Sequence, residues 1–382
     1  MNVVEVPLAE ARGTFLLGEI LMKKPHSIEI CIENSACNMS CKYCAFKNNL
    51  HKHTNKLPEF NTQILNEKLK DISEDYNGEI LIWGGEPLVN FEYLKKLIIY
   101  LRDKFKSTKL FFVTNGLLLN TNVAKFLIDY SVSISISHDG SGQHLRGIDP
   151  FKNTEFVESV KLLIDKQLLG SFQLLLTNEA ANFKDQIKYW DNISKLLGIK
   201  VPIHLMIPKV YSKEERAFLP RVSDLHDWIT LVVSQLFNSE NNSLSIKLIS
   251  TNNYIYRVAN CYLNNAEQPY ACVPEEQHVF GITGNDYFCS EIADKVWSGL
   301  VTRSEKDFKW DIDRCKTCSI YKYCDRFCLT MSPEEKEFNC DFRYELAKYI
   351  INLLEKYKQI CNEPMTLLYT EDQYQIINEE MI

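Results

Sequence analysis

From about Pro25 to Ile207, short apolar runs that alternate with polar residues take turns with longer stretches whose apolar positions recur every three to four residues. A period of two argues for strands and a period near 3.6 for helices. The expected strands are Ser27 to Ile32, Glu79 to Trp83, Lys109 to Thr114, Val132 to Ser137, Ser171 to Thr177 and Val201 to Ile207. Between them the pattern predicts helices at Asn61 to Ile72, Phe91 to Phe105, Thr121 to Asp129, Asn153 to Lys166 and Lys184 to Leu197. Strands alternating with helices in this way make an α/β chain with a parallel sheet. Further on, Ser223 to Phe237 reads as an amphipathic helix, Asn238 to Ser243 as a polar linker and Arg343 to Tyr357 as another helix. The tail from Glu363 carries no assignable pattern, and no internal repeat or low-complexity tract interrupts the order.

In parallel α/β folds the working residues sit at the carboxyl ends of the strands. Four polar or glycine-rich groups fall at such ends. Cys37-Asn-Met-Ser-Cys41-Lys-Tyr43-Cys44 follows the first expected strand, Gly84-Gly85-Glu86-Pro87 the second, Asn115-Gly116 the third and Ser137-His138-Asp139-Gly140 the fourth. Three thiolates at the first spacing suit a cubane iron–sulfur cluster, one iron each, and leave the fourth iron without a protein ligand. An open coordination position is where chemistry takes place, by the logic that separates catalytic from structural zinc.

Composition narrows the classes. A chain of 382 residues with 45% hydrophobic content is long enough for one large domain and a smaller one. A net charge of −7 gives no general basic footprint, so nucleic acid and anionic membranes are not expected partners. No apolar run approaches the about 18 residues of a membrane span, and Met1-Asn2-Val3-Val4-Glu5 does not begin a signal peptide, so a cytoplasmic address is expected. The 13 cysteines are odd in number and include tight Cys-x-x-Cys spacings, which fits metal ligation in a reducing compartment better than disulfides.

The three-cysteine spacing, with aromatic Tyr43 before the last thiol, resembles the radical S-adenosylmethionine (SAM) superfamily. The resemblance implies a partial (β/α)6 barrel with a [4Fe–4S] cluster on Cys37, Cys41 and Cys44, whose unique iron binds SAM. It also implies reductive cleavage of SAM to a 5′-deoxyadenosyl radical that abstracts a substrate hydrogen. Gly84-Gly85-Glu86-Pro87 is similar to the superfamily's GGEP motif, whose backbone meets the SAM amino group, glycine allowing the close approach. Ser137 and Asp139 resemble its Ser-x-Asp-Gly element. By the same resemblance Tyr43, Gly84, Gly85, Glu86, Asn115, Ser137, Asp139 and Arg146 are the expected SAM-binding residues. This chain departs from the usual pattern in having His138 where an aliphatic residue is common; with Gln143, His144 and Arg146 it suggests a polar cluster reaching toward SAM or substrate, or else a satisfied histidine and a solvated loop.

Downstream lie Cys272, Gly284, Cys289, then Cys315-x2-Cys318-x5-Cys324-x3-Cys328, and Cys340. This series resembles the SPASM domain, which implies two auxiliary [4Fe–4S] clusters, three clusters in all. By motif position Cys272, Cys289 and Cys328 go to the first, and Cys315, Cys318, Cys324 and Cys340 to the second. A fourth ligand to the first, by analogy with fully ligated relatives, is Cys261; without it that cluster keeps an open iron. Structural zinc is the alternative use of such cysteine sets. Cys31 alternates within a strand and reads as a buried hydrophobe, and Cys361 as a free thiol. Lys47, His51, Lys52, His53 and Lys56 form a basic run that is either solvated loop or a dock for an acidic electron donor, flavodoxin- or ferredoxin-like, or for an acidic substrate segment.

The resemblance implies a maturase that oxidatively modifies a ribosomal peptide side chain, by thioether or carbon–carbon crosslink or by dehydrogenation. The alternatives are an anaerobic sulfatase-maturing enzyme that makes formylglycine, a small-molecule radical SAM dehydrogenase, and a non-enzymatic zinc protein. Ser290-Glu291 follows Cys289 where sulfatase-maturing enzymes place an aspartate, which counts against that subgroup. The expected division is an extension at 1–24, the barrel at 25–215, a helical linker at 216–253, the SPASM domain at 254–344 and a helix with tail at 345–382. The extension is shorter than a leader-recognition domain of roughly 80 to 90 residues, so leader binding is expected to use a separate protein, the barrel surface or the tail.

Overall fold

The computed structural model describes residues 27–33, 36–44, 57–210, 212–235, 244–248, 254–266, 277–287, 311–324 and 331–361. The basic run at 47–56, Cys272, Cys289, Ser290, Glu291, Cys328, the 238–243 linker and the two termini lie outside these residues, as does the side chain of Cys361.

Among the described residues nine strands form one sheet. They are β1 (Ser27–Cys31), β2 (Glu79–Trp83), β3 (Lys109–Thr114), β4 (Val132–Ser137), β5 (Leu169–Leu175), β6 (Val201–Met206), β7 (Ile246–Leu248), β8 (Gln277–Gly281) and β9 (Asp286–Tyr287). The order is β7-β6-β5-β4-β3-β2-β1-β8-β9, parallel throughout except for the β8–β9 hairpin. The helices are α1 (Thr62–Lys68), α2 (Phe91–Lys104), α3 (Thr121–Asp129), α4 (Thr154–Asp165), α5 (Phe183–Leu197), α6 (His226–Gln235), α7 (Tyr254–Leu263) and α8 (Pro333–Cys361). Thus β1 to β6 and the helices between them form the six-strand α/β unit that the hydrophobic pattern predicts.

Local chemistry sets the helix starts. Asn61, Asn120, Asn153 and Asn182 each accept a backbone N–H of the first turn at 2.9–3.1 Å, an N-cap worth about 1 kcal/mol over alanine. In the strands alternation decides the faces. Val132, Ile134 and Ile136 of β4, Phe172 and Leu174 of β5, and Ile203 and Leu205 of β6 are buried in the main core with helix residues such as Trp190. Their strand neighbours Ser133, Ser135, Ser137, Gln173 and His204 therefore point to the opposite, inner face.

The sheet extends past the six expected strands at both edges. β7 comes from the stretch expected to be a helical linker and pairs with β6, while β8 and β9 come from the cysteine-rich region and join β1. Strands of three, five and two residues carry too little alternation to be read alone. The hairpin is pinned by Glu33, just past β1 and only 3% exposed. Its carboxylate accepts the Thr283 N–H at 2.7 Å, Asn285 Nδ2 at 3.0 Å and the hydroxyls of Thr283 and Tyr287. Gly284, the glycine of the downstream cysteine pattern, turns the hairpin at φ +91°.

Helix α8 starts ten residues before the expected Arg343. A capping box explains this: Glu335 N–H donates to Ser332 Oγ at 3.1 Å and Ser332 N–H to the Glu335 carboxylate at 2.6 Å, with Pro333 at the first position. Asn339 of α8, fully buried, both donates to and accepts from the backbone of Val210 at 2.7 and 3.0 Å. That clamp fixes the helix carrying Cys340 against the loop after β6.

Candidate active site

At the carboxyl ends of β1 to β4, Cys37, Cys41 and Cys44 line one cavity of about 210 Å³ with Met39, Trp83, Gly84, Gly85, Glu86, Val113, Thr114, Asn115, Ser137 and Arg146. Each of the four strand-end groups singled out in the sequence contributes to it. The three cysteines are free thiols. Among the described residues no three His, Cys, Asp or Glu side chains converge as on a single metal ion. Three thiols spread around one cavity suit a multi-iron cluster, which takes one thiolate per iron.

The loop bearing these thiols is held at several points. Glu86 N–H donates to the Ala36 carbonyl at 2.9 Å, tying the Gly84-Gly85-Glu86 turn to the cysteine loop, and Lys42 N–H donates to the Leu145 carbonyl at 2.9 Å. Gly84 has φ +143°, a conformation essentially reserved for glycine. The Glu86 carboxylate is 2% exposed and accepts from Thr114 Oγ1 at 2.6 Å, Asn115 N–H at 2.6 Å and Leu88 N–H at 3.1 Å. Both oxygens are thus spent on joining the ends of β2 and β3. Burial pushes its pKa up, opposed by those hydrogen bonds and by Arg146. Asn115 Nδ2 donates to Asn38 Oδ1 at 2.7 Å and lies 3.9 Å from Cys37 Sγ.

A second link runs from β4. Asp139, fully buried, accepts the Tyr43 hydroxyl, and Arg146 Nη1 donates to the Tyr43 oxygen at 2.9 Å. Arg146 also lies 4.0 Å from Asp139, and its Nε is buried without a hydrogen-bond partner. Burial raises the Asp139 pKa against the pull of Arg146 and the hydrogen bonds. Burial likewise raises the thiol pKa of Cys41, with Arg146 opposing, and pushes Cys37 up to about 11. Cluster assembly at these thiols therefore releases protons.

The polar cluster expected around His138 divides. Of Gln143, His144 and Arg146, only Arg146 lines the cavity. Gln143 is buried and bonds the Asp139 N–H and the Ile148 carbonyl, while His144 pairs with Glu179 at the surface. His138 is fully buried behind the strand end. Its Nδ1 accepts Gly140 N–H at 3.0 Å, so Nε2 bears the proton facing Asp149 Oδ1 at 3.2 Å and Tyr189 at 3.1 Å. Burial holds its pKa down. A neutral histidine whose two nitrogens are satisfied fills the bland reading of that residue rather than a catalytic one. Cys31, fully buried, is the small hydrophobe expected.

The inner face also carries a row that sequence reasoning missed. Register places Ser137 beside Gln173 and Gln173 beside His204, across β4, β5 and β6. One layer below, Ser135 and Ser171 share a hydrogen bond at 3.2 Å. Only the strand pairing shows that these residues are neighbours.

A second cavity lies in the C-terminal region. Cys315, Cys318, Cys324 and Cys340 line it together with Ile312, Ile320, Lys336 and Arg343. Cys318 N–H donates to the Cys315 carbonyl at 3.2 Å, the turn that Cys44 makes on Cys41 at 3.1 Å. Four thiols around one cavity suit a cubane, which takes one thiolate per iron, better than a single metal ion. Burial pushes Cys340 up to about 12. Cys261 is buried on α7 and does not line this cavity.

Residues 34–178 match the radical SAM superfamily. The chain is 26% identical over 198 residues to an uncharacterized protein of Methanocaldococcus jannaschii, covering 50% of this chain and 65% of that protein. It is 26% identical over 145 residues to the cysteine-type anaerobic sulfatase-maturating enzyme of Clostridium perfringens, covering 34% of this chain and 39% of that enzyme. These matches span about two thirds and two fifths of the two relatives' lengths. Among solved structures, native anSMEcpe with bound AdoMet superposes with a TM-score of 0.56 at 16% identity, over 85% of this chain and 99% of that one. The same protein with AdoMet and the Cp18Cys peptide gives 0.55 at 16% identity, over the same shares. At such identities the likeness shows the fold. The cysteine loop, the glycine turn and the strand-end residues around one cavity all lie within residues 34–178, the segment that matches as a radical SAM domain.

Proposed function

We propose that this protein is a radical SAM maturase that oxidatively modifies a side chain of a ribosomal peptide, by crosslink or dehydrogenation. Auxiliary clusters in its C-terminal region would accept the substrate's electron. The observation that supports this reading is that Cys315, Cys318, Cys324 and Cys340 line one cavity, a second set of thiols besides Cys37, Cys41 and Cys44.

Cys37, Cys41 and Cys44 would hold the SAM-binding cluster. Bound there, cluster and SAM supply one-electron cleavage to a carbon radical that takes hydrogen from a substrate. The chain's own residues provide the seat. Gly84 and Gly85 open the backbone to the ligand's amino group, the Ser137 hydroxyl faces the cavity, and Arg146 is a fixed cation beside it for a carboxylate. Glu86, Asn115, Asp139 and Tyr43 act by holding these groups in place. The Ser137, Gln173 and His204 row gives the inner wall hydrogen-bonding groups next to the cavity, suited to an amide-rich substrate. Cys272, Cys289 and Cys328, with Cys261, would bind the other auxiliary cluster. An electron donor of flavodoxin or ferredoxin type and a separate leader-binding protein complete the proposal. No helix among the described residues is long and apolar enough to cross a membrane.

Sulfatase maturation is the second reading, favoured by the similarity to the Clostridium perfringens enzyme. Both readings make the same first test. Iron and sulfide are counted after anaerobic reconstitution, with Mössbauer spectra before and after SAM. About twelve irons with one subsite shifted by SAM is the result expected for three four-iron clusters. Cys41→Ala should lose about four of them together with 5′-deoxyadenosine formation. Zinc in place of iron, or SAM cleavage persisting in Cys41→Ala, refutes both. Conversion of a sulfatase-derived cysteine peptide to formylglycine selects the second reading; turnover of a precursor peptide alone selects the first.

A further inference from the structure

We propose that His204 is the base that takes the substrate's proton as the substrate is oxidised, with Gln173 beside it orienting the reacting residue. This rests on the reading of the protein as an oxidative peptide maturase. Register divides the inner wall of β4, β5 and β6 into three layers. At the bottom Ser135 and Ser171, both 5% exposed, share a hydrogen bond at 3.2 Å, level with Pro202. Ser137, Gln173 and His204 make the middle layer. At the carboxyl ends Leu175 pairs with Met206, which is 39% exposed. The bottom is thus closed and satisfied, and the top is apolar and open. Ser137 lines the cavity of the three cysteines. Neighbouring strands lie about 4.8 Å apart, which sets His204 about 10 Å along the wall from Ser137.

Only the middle layer keeps polar groups in reserve. Gln173 and His204 are half-buried, and among the described residues neither the amide nor the imidazole has a hydrogen-bond partner. An unpaired amide and imidazole side by side on adjacent strands fit a ligand that brings donors and acceptors of its own, as a peptide does. The other titratable groups near the cavity are committed. Glu86 spends both oxygens on β2 and β3, Asp139 holds Tyr43, His138 has both nitrogens satisfied, and His144 pairs with Glu179 at the surface. No charged group faces His204 from β4 or β5; on β7 the exposed Lys247 is level with Pro202, two residues below. Burial holds the His204 pKa down, so the ring is neutral at neutral pH, the form that accepts a proton.

The chemistry requires such an acceptor. A crosslink or a dehydrogenation is a two-electron oxidation that removes two hydrogens from the peptide. One leaves as a hydrogen atom: a substrate C–H bond breaks and a C–H bond forms in 5′-deoxyadenosine. The substrate radical then loses one electron, taken by an oxidised auxiliary [4Fe–4S] cluster, and one proton, released from the attacking thiol or from the neighbouring C–H or N–H as the new bond forms. His204 takes that proton on a ring nitrogen, becomes imidazolium and later returns it to water. Gln173 offers its carbonyl and its NH2 to the peptide's N–H and C=O, which holds the reacting residue against the ring. Leu175 and Met206 receive apolar neighbours of that residue at the mouth.

The test has two arms, both on the full chain reconstituted anaerobically. Diethyl pyrocarbonate, which acylates neutral imidazoles it can reach, is applied at pH 7 and mapped by mass spectrometry. His204 should be modified and the fully buried His138 spared; an unmodified His204 where the exposed His144 reacts overturns the proposal. In the second arm a sulfatase-derived cysteine peptide and a precursor peptide are turned over, and oxidised product is counted against 5′-deoxyadenosine. His204→Gln should lower that ratio about 100-fold, within the range of a general base. In the wild-type protein the ratio should fall as pH drops through the lowered histidine pKa, and in His204→Gln that limb should vanish. Added imidazole should restore product in His204→Ala, which a packing role would not allow. An unmoved ratio, a parallel loss of product and 5′-deoxyadenosine, or uncoupling in Glu291→Gln in place of His204→Gln overturns the proposal. If the wild-type protein oxidises neither peptide, the maturase reading itself has failed, and this proposal falls with it.

Discussion

Removing the Glu33 carboxylate should loosen the hairpin that joins the C-terminal region to β1, and the geometry allows the effect to be separated from general destabilisation. Three of its four donors, Thr283 N–H, the Thr283 hydroxyl and Asn285 Nδ2, come from the turn, and both oxygens are occupied. Leaving such donors unpaired in a buried site costs about 1–3 kcal/mol each, offset in part by no longer burying the charge, so Glu33→Ala should cost about 3–5 kcal/mol. Gly281 is the second probe. A Cβ there would sit 2.1 Å from the Glu33 carboxyl carbon and 2.3 and 2.4 Å from its oxygens, which the four donors hold still. Overpacking of this kind costs about 1–3 kcal/mol. In the Glu33→Ala background the same methyl meets vacated space, so Gly281→Ala should cost almost nothing there. The double variant is expected to be less destabilised than the sum of the singles by about 1–3 kcal/mol. Native-state hydrogen exchange of amides 277–287 reads the local opening free energy without assuming that the chain unfolds in one step. Additive effects within about 0.5 kcal/mol would show that the carboxylate does not hold the hairpin.

Gly116→Ala combines a left-handed φ of +80° with a Cβ 2.6 Å from the Phe156 ring, and should lose about 2–4 kcal/mol by urea unfolding. Ser137→Ala should change stability by less than about 0.5 kcal/mol while weakening SAM binding roughly tenfold by calorimetry, the loss of one hydrogen bond to a ligand. Burial depresses the His138 pKa, so the unfolded chain binds the extra proton first as pH falls below about 6.5; stability is full above that value and declines below it. His138→Gln should flatten that decline, measured as urea midpoints at pH 5 and pH 7, and should leave the pH dependence of SAM cleavage unchanged; a lost limb in that profile would restore His138 to catalysis.

Much of the barrel was legible because its signals are local. Alternation along β2, β3 and β4 placed those strands at their observed bounds, and the recurrence of apolar positions every three to four residues placed the helix at Thr121–Asp129 at its own. The cysteine spacing, the Gly84-Gly85 turn and the Ser137 strand end were local too, and they meet in one cavity. What escaped was joined only by the fold. Glu33 acquires its meaning from Thr283, 250 residues away. His138 looked open to chemistry until Asp149 and Tyr189 closed around its Nε2. Gln173 and His204 became neighbours of Ser137 through strand pairing alone. Lys336 sits within a stretch that reads as polar and charged, and only α8 packing against the cysteine turn turns it inward. The start of α8 is the exception, since Ser332-Pro333-Glu334-Glu335 is a capping box visible in the sequence.

The pairing of β8 with β1 sets a timetable for making the protein. β1 emerges from the ribosome well before β8, yet one of its two edges is covered by that strand, whose hairpin contacts lie about 250 residues later in the chain. At roughly 5–20 residues per second, translation leaves that edge without its partner for roughly 12 to 50 s. An unpaired β edge next to the three-cysteine loop is a site for mispairing and for premature thiol chemistry during that interval. Rare codons ahead of residue 277 should therefore lower the yield of soluble chain, whereas co-expressed peptide spanning 277–287 should protect it.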